Sequence, residues 1–135
     1  MKKLLVLLLS FGFLIAPSIK AETVFYCNSE LETGFAKING SWETSTFKPI
    51  RLTIKFNDNY SKLSGINKFE TFSCSVPYSF ALNYLVCSGT TAEIFLFNKL
   101  QKRFVYSFVK LYAGYDRDHS TPDNDVLYAG TCEIF

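Results

Sequence analysis

The sequence predicts an all-β fold, a single antiparallel β-barrel or β-sandwich of about eight strands. Three observations carry that prediction. Apolar residues fall in short runs rich in aromatic and β-branched types, which fit a pleated surface. Turn residues separate these runs at close intervals, with Asn39-Gly40 the clearest hairpin signal. Four cysteines supply two covalent staples to a small domain.

Met1-Lys2-Lys3 is a short basic start, and Leu4 to Ala16 is apolar. Pro17 to Ala21 then gives a helix break and a small residue at a cleavage point. This is the layout of a secretory signal peptide, with cleavage expected after Ala21. The apolar run is shorter than the about 20 residues a membrane span needs. Residues 22–135 are expected to form one domain, with no membrane span after the signal is removed. Three of the fourteen basic residues, Lys2, Lys3 and Lys20, belong to the leader, which leaves eleven against twelve acidic ones. That balance argues against a nucleic-acid binder, and against attachment to an anionic membrane by overall charge alone.

Along the rest of the chain, Thr23–Asn28 reads as a first short strand. Gly34–Ile38 and Trp42–Phe47 flank the Asn39-Gly40 turn, and Trp42 is expected in the core because of its large apolar surface. Arg51–Phe56 alternates, with Leu52, Ile54 and Phe56 on one face and Arg51, Thr53 and Lys55 on the other. Asn57 to Asn59 is a turn, Tyr60–Leu63 a short return and Gly65–Lys68 a loop. Thr71–Val76 alternates again, and Pro77–Asn83 is turn-prone. Tyr84–Ser88 is a strand, followed by a turn at Gly89-Thr90. Ile94–Phe97 and Phe104–Tyr112 flank the polar tip Asn98–Arg103. The second of these runs is apolar on both faces, so it is expected to be a covered, central strand. Asp116–Asp125 reads as an exposed polar loop, and Val126–Phe135 as the last strand.

Cys27, Cys74, Cys87 and Cys132 allow three pairings. The favoured one is Cys27–Cys132 with Cys74–Cys87, which ties the first strand to the last and staples a local hairpin. No two cysteines have the close spacing of a zinc site.

Catalytic and cofactor motifs are sparse. His119, the lone histidine, lies between Asp118 and Asp123 beside Ser120, without the nucleophile elbow of a hydrolase. Asp116, Asp118, Asp123 and Asp125 do not follow the calcium-loop pattern. No catalytic residue, metal or cofactor is therefore expected. The chain does carry one tryptophan, eight tyrosines and fourteen phenylalanines, of which only Phe11 and Phe13 fall in the leader. This exceeds what one small core needs. Tyr78, Phe80, Tyr84 and Tyr115 are candidate contact residues, with Lys99, Lys102 and Arg103 as a basic knob at a hairpin tip.

Phe25-Tyr26-Cys27, Gly34-Phe35, Phe47-Lys48-Pro49, Phe97-Asn98, Arg103-Phe104 and the closing Gly130-Thr131-Cys132-Glu133-Ile134-Phe135 resemble a group of small exported bacterial and phage proteins without an assigned function. The resemblance implies export and supports the Cys27–Cys132 pairing; it supplies no catalytic residue. A looser similarity is to the small β-barrel periplasmic lysozyme inhibitors, which also begin with an aromatic residue next to cysteine. Their Ser-Gly-x-x-Tyr stretch is missing, since Ser64-Gly65-Ile66-Asn67-Lys68 ends in lysine. The expectation is a periplasmic or secreted, non-enzymatic binding protein of the cell envelope, its partner an envelope or extracellular protein. The alternative is a lipocalin-like carrier of a small apolar ligand.

Overall fold

The computed structural model describes residues 21–109 and 124–135. Apart from Ala21, the expected leader lies outside them. Nine strands are present: β1 (Thr23–Ile38), β2 (Ser41–Ser45), β3 (Arg51–Phe56), β4 (Lys62–Ser64), β5 (Phe72–Ser75), β6 (Tyr84–Ser88), β7 (Glu93–Asn98), β8 (Arg103–Phe108) and β9 (Asn124–Ile134). No helix occurs among the described residues. β1 and β3 to β9 follow one another around a closed antiparallel barrel, which the β1–β9 pairing seals. Closure pairs both edges of a sheet that would otherwise be open to other chains. β2 stands outside the barrel as an extra strand.

Thr23–Asn28 and Gly34–Ile38 are one strand rather than two. The lower half of β1 pairs with β3, its upper half pairs with β2, and β9 runs along its other side. The polar stretch between the halves reads as a break in the sequence. It is instead a β-bulge, where the register with β9 shifts between Ser29 and Leu31. Ser29 anchors it: its Oγ accepts from the Ile50 amide at 2.8 Å and donates to Glu32 Oε1 at 2.6 Å. At the end of β1 the chain turns through Asn39 and Gly40, both at positive φ (50° and 87°), as a two-residue type I′ hairpin requires. Trp42 follows on β2, half-buried and opposite Lys37, so it is not part of the barrel core.

The barrel interior is built from phenylalanine. Phe97 packs edge-on against Phe25 at 5.0 Å and stacks on Phe56 at 5.3 Å, while Phe95 stacks on Phe104 at 5.4 Å. Ile54, Leu63, Phe72 and Leu85 are buried with them. Each such side chain contributes about 1.5–3 kcal/mol by leaving water.

Cys27–Cys132 and Cys74–Cys87 are both bonded, as expected. In each pair the cysteines lie directly opposite on adjacent strands. The Cys132 amide donates away from β1, to Lys102 at 2.8 Å, and the Cys74 amide away from β6, to Ser61 at 2.9 Å. Both are therefore non-hydrogen-bonded pairs, the positions that bring opposing side chains closest.

The expected strand Phe104–Tyr112 ends at Phe108, and residues 110–112 lie outside those described. Nor is β8 covered on both faces. Phe104 points into the barrel, while Val105 on the outer wall is only half-buried and Val109 is exposed. A barrel has a single interior, so apolar residues of the other phase stay on the wall. Of the expected polar loop Asp116–Asp125, only the last two residues are among those described. Asn124 and Asp125 belong to β9, and Asp125 is buried opposite Phe35.

Candidate functional site

Strand direction alternates around the barrel, so successive connections lie at opposite ends. The β3–β4, β5–β6 and β7–β8 connections meet at one end, called lower here; the β4–β5 and β6–β7 connections and the β1–β2 hairpin sit at the upper end.

Six of the seven candidate contact residues come together at the lower end. Tyr78 and Phe80 stand on the β5–β6 loop, where the Ala81 amide bonds to the Tyr78 carbonyl and the Tyr84 amide to the Ala81 carbonyl. Their rings stack at 5.2 Å, tilted by 20°. Both are exposed, Phe80 by 86%, and Leu82 beside them by 66%. In the β7–β8 turn, Asn98 Oδ1 accepts from the amides of Leu100 and Gln101, which leaves Leu100 76% exposed at the tip. The Lys99 amide donates to the Asn83 carbonyl at 2.8 Å and joins turn to loop. The Lys99 ammonium lies 5.1 Å over the ring of Tyr60, which packs on Phe56 at 5.1 Å, so the β3–β4 turn is held in the same group. Lys102 and Arg103 are exposed. Tyr84 pairs with Asn98 and, with Arg103, Leu96 and Val105, lines a shallow cavity of about 180 Å³ on the adjoining wall. Tyr115 lies outside the described residues, as do His119, Ser120, Asp116, Asp118 and Asp123.

The upper end holds a polar constellation that sequence reasoning missed. Glu93, 7% exposed, faces into the barrel mouth. It accepts from the Tyr106 hydroxyl at 2.9 Å, from Asn67 Nδ2 at 3.0 Å and from Thr91 Oγ1 at 3.3 Å. Thr91 Oγ1 also bonds to Glu70, 3.4 Å away, whose other oxygen takes the Thr90 amide. Hydrogen bonding from Thr90 holds the Glu70 carboxyl below the usual range. Burial, reinforced by Glu93, pushes the Tyr106 hydroxyl well above its ordinary value. Tyr128 stacks on Tyr106 at 6.1 Å and is raised as well, by burial and then by the charge of Glu32. Glu70, Glu93, Thr90 and Thr91 line an open depression of about 580 Å³ with Asn67 and Phe69. A signal for Glu93 was present: it shares the phase of Phe95 and Phe97, the buried face of β7. Starting that strand at Ile94 loses it.

No group of three or more metal-ligating side chains occurs among the described residues. Compared with family models, curated proteins and solved structures, the chain gives no match.

Proposed function

We propose that the protein is an exported, non-enzymatic interaction module of the cell envelope, and that it binds through the lower end of the barrel. One observation carries this reading. Two separate connections, β5–β6 and β7–β8, place exposed Tyr78, Phe80, Leu82 and Leu100 beside Lys99, Lys102 and Arg103. Large apolar side chains gathered on an exposed surface with a polar rim mark an interaction site. Two disulfides fit an oxidising compartment, in line with the leader-like start. Against a carrier of an internal apolar ligand stands the phenylalanine stack, which occupies the space along the barrel axis.

Fractionation of the producing cell tests the reading. The wild-type protein is expected to stay with the washed envelope fraction. A Phe80→Ser/Leu100→Ser variant is expected to be released, and Phe69→Ser, on the exposed rim of the upper end, to be retained. Equal retention of all three would show that the lower end is not the binding surface.

A further inference from the structure

We propose that the lower end docks on an anionic lipid surface; this rests on the lower end being the binding surface and names what it binds. The chemistry of the tips selects the partner. The β5–β6 loop, Val76–Asn83, and the β7–β8 tip, Asn98–Arg103, together carry three cations and no acidic residue. Their apolar side chains stand at the points of loops, with Phe80 86% and Leu100 76% exposed. The nearby cavity of about 180 Å³ opens on the wall of the barrel, lined by strand residues such as Leu96 and Val105. Protruding aromatic and leucine side chains backed by lysine and arginine match the boundary between lipid headgroups and acyl chains. The apolar tips enter the boundary while the cations remain among the anionic headgroups.

The lower end is cationic on balance: Asp58 on the β3–β4 turn, Glu22 before β1 and Glu133 on β9 lie there, against Lys55, Lys62, Lys99, Lys102 and Arg103. Glu32, Glu70, Glu93 and Asp125 lie towards the upper end, away from the cationic tips. A six-residue strand such as β7 is about 20 Å long, against a Debye length of about 8 Å at physiological salt. An anionic surface at the lower end therefore meets Lys99, Lys102 and Arg103 with the upper-end carboxylates screened. Lys99 is already placed, its ammonium held over Tyr60 at the tip.

Co-sedimentation of the purified, disulfide-bonded protein with sucrose-loaded vesicles tests the proposal. Phosphatidylcholine vesicles containing phosphatidylglycerol are expected to pellet the protein, and pure phosphatidylcholine vesicles to leave it in solution. Each cation removed, in Lys102→Gln and Arg103→Gln, is expected to lower the partition coefficient about fivefold. Leu82→Ser/Leu100→Ser is expected to abolish pelleting, and Phe69→Ser to leave it unchanged. All these positions are exposed, and unchanged melting of each variant confirms that it folds. Failure to pellet with anionic vesicles, equal pelleting with both compositions, or indifference to the tip variants would each overturn the proposal. If vesicles fail but envelope retention still depends on Phe80 and Leu100, the lower end binds a protein and the lipid assignment is wrong. If both fail, the reading of the lower end fails with it.

Discussion

The hydroxyl of Tyr106 on β8 donates to Oε1 of Glu93 on β7 at 2.9 Å, inside the upper mouth of the barrel. Asn67, from the β4–β5 connection, and Thr91, from the β6–β7 turn, donate to the other carboxylate oxygen. One buried acid thus ties the β4–β5 and β6–β7 connections to strands β7 and β8. Glu93→Ala leaves the Tyr106 hydroxyl and Asn67 Nδ2 without this acceptor, and a buried donor left unsatisfied costs about 1–3 kcal/mol. Urea unfolding is expected to show a loss in that range. Tyr106→Phe, which leaves the other two donors in place, is expected to lose about 1 kcal/mol. A Glu93→Ala variant as stable as wild type would mean that the network does not hold the upper end together.

The same tyrosine sets an alkaline limit on stability. Its folded-state pKa is raised above the unfolded value, first by burial and then by Glu93; that of Tyr128 is raised by burial and by Glu32. Below about pH 10 both groups are protonated in the folded and unfolded states, and the stability tied to their protons is fully present. Above that pH the unfolded chain loses those protons while the folded protein keeps them, so stability falls as pH rises towards the folded pKa values. Urea midpoints taken at neutral pH and above about pH 10 are expected to drop in the wild type, and to drop less in Tyr106→Phe. Equal drops in both would show that Tyr106 is not the linked group.

Much of this fold is legible in the sequence, because its strands are local patterns. Leu52, Ile54 and Phe56 alternate with Arg51, Thr53 and Lys55, and β3 has those bounds. Asn39-Gly40 gives the hairpin, and both disulfides join the expected cysteines. The features that could not be read depend on distant partners. The bulge that lets β1 run through Glu30 is held by Ile50 and by β9, neither visible from the local pattern. Asp125 looks like loop because it is acidic, yet pairing with Phe35 draws it into β9. At the lower end, Tyr78, Phe80 and Lys99 could be picked out individually. Their convergence follows only from the alternation of strand direction around a closed barrel.

The two disulfides are expected to contribute unequally. Cys27–Cys132 joins residues 105 apart and lies on the β1–β9 seam, while Cys74–Cys87 joins residues 13 apart on neighbouring strands. On chain-entropy grounds, cross-linking a loop of roughly 100 residues is worth about 4.7 kcal/mol and one of about 15 residues about 3 kcal/mol. Cys27→Ala/Cys132→Ala is therefore expected to melt at a lower temperature than Cys74→Ala/Cys87→Ala, and both below wild type. Thermal unfolding followed by circular dichroism reads the order directly. The reverse order would show that the local staple limits folding more than the seam does.

The seam also depends on Gly130, for a steric reason that differs from that of the hairpin glycine. Gly130 pairs with Ser29 at the start of the bulge, and a Cβ there would collide with the Asn28 carbonyl oxygen. Backbone cannot swing aside as the end of a flexible side chain can, so β1 and β9 would have to part where they seal the barrel. Overpacking of this kind costs typically about 1–3 kcal/mol, sometimes more. Gly40 is the contrasting case. Its φ is 87°, but the space around it is open, so alanine there meets only the left-handed backbone penalty of about 1–2 kcal/mol. Gly130→Ala is expected to lower the urea midpoint more than Gly40→Ala. Gly130→Ala is also expected to speed hydrogen exchange at amides on both sides of the seam, whereas the effect of Gly40→Ala stays within the β1–β2 hairpin. Exchange confined to the hairpin in both variants would mean that β1 and β9 can part at the bulge without cost, and that Gly130 is not what allows the barrel to close.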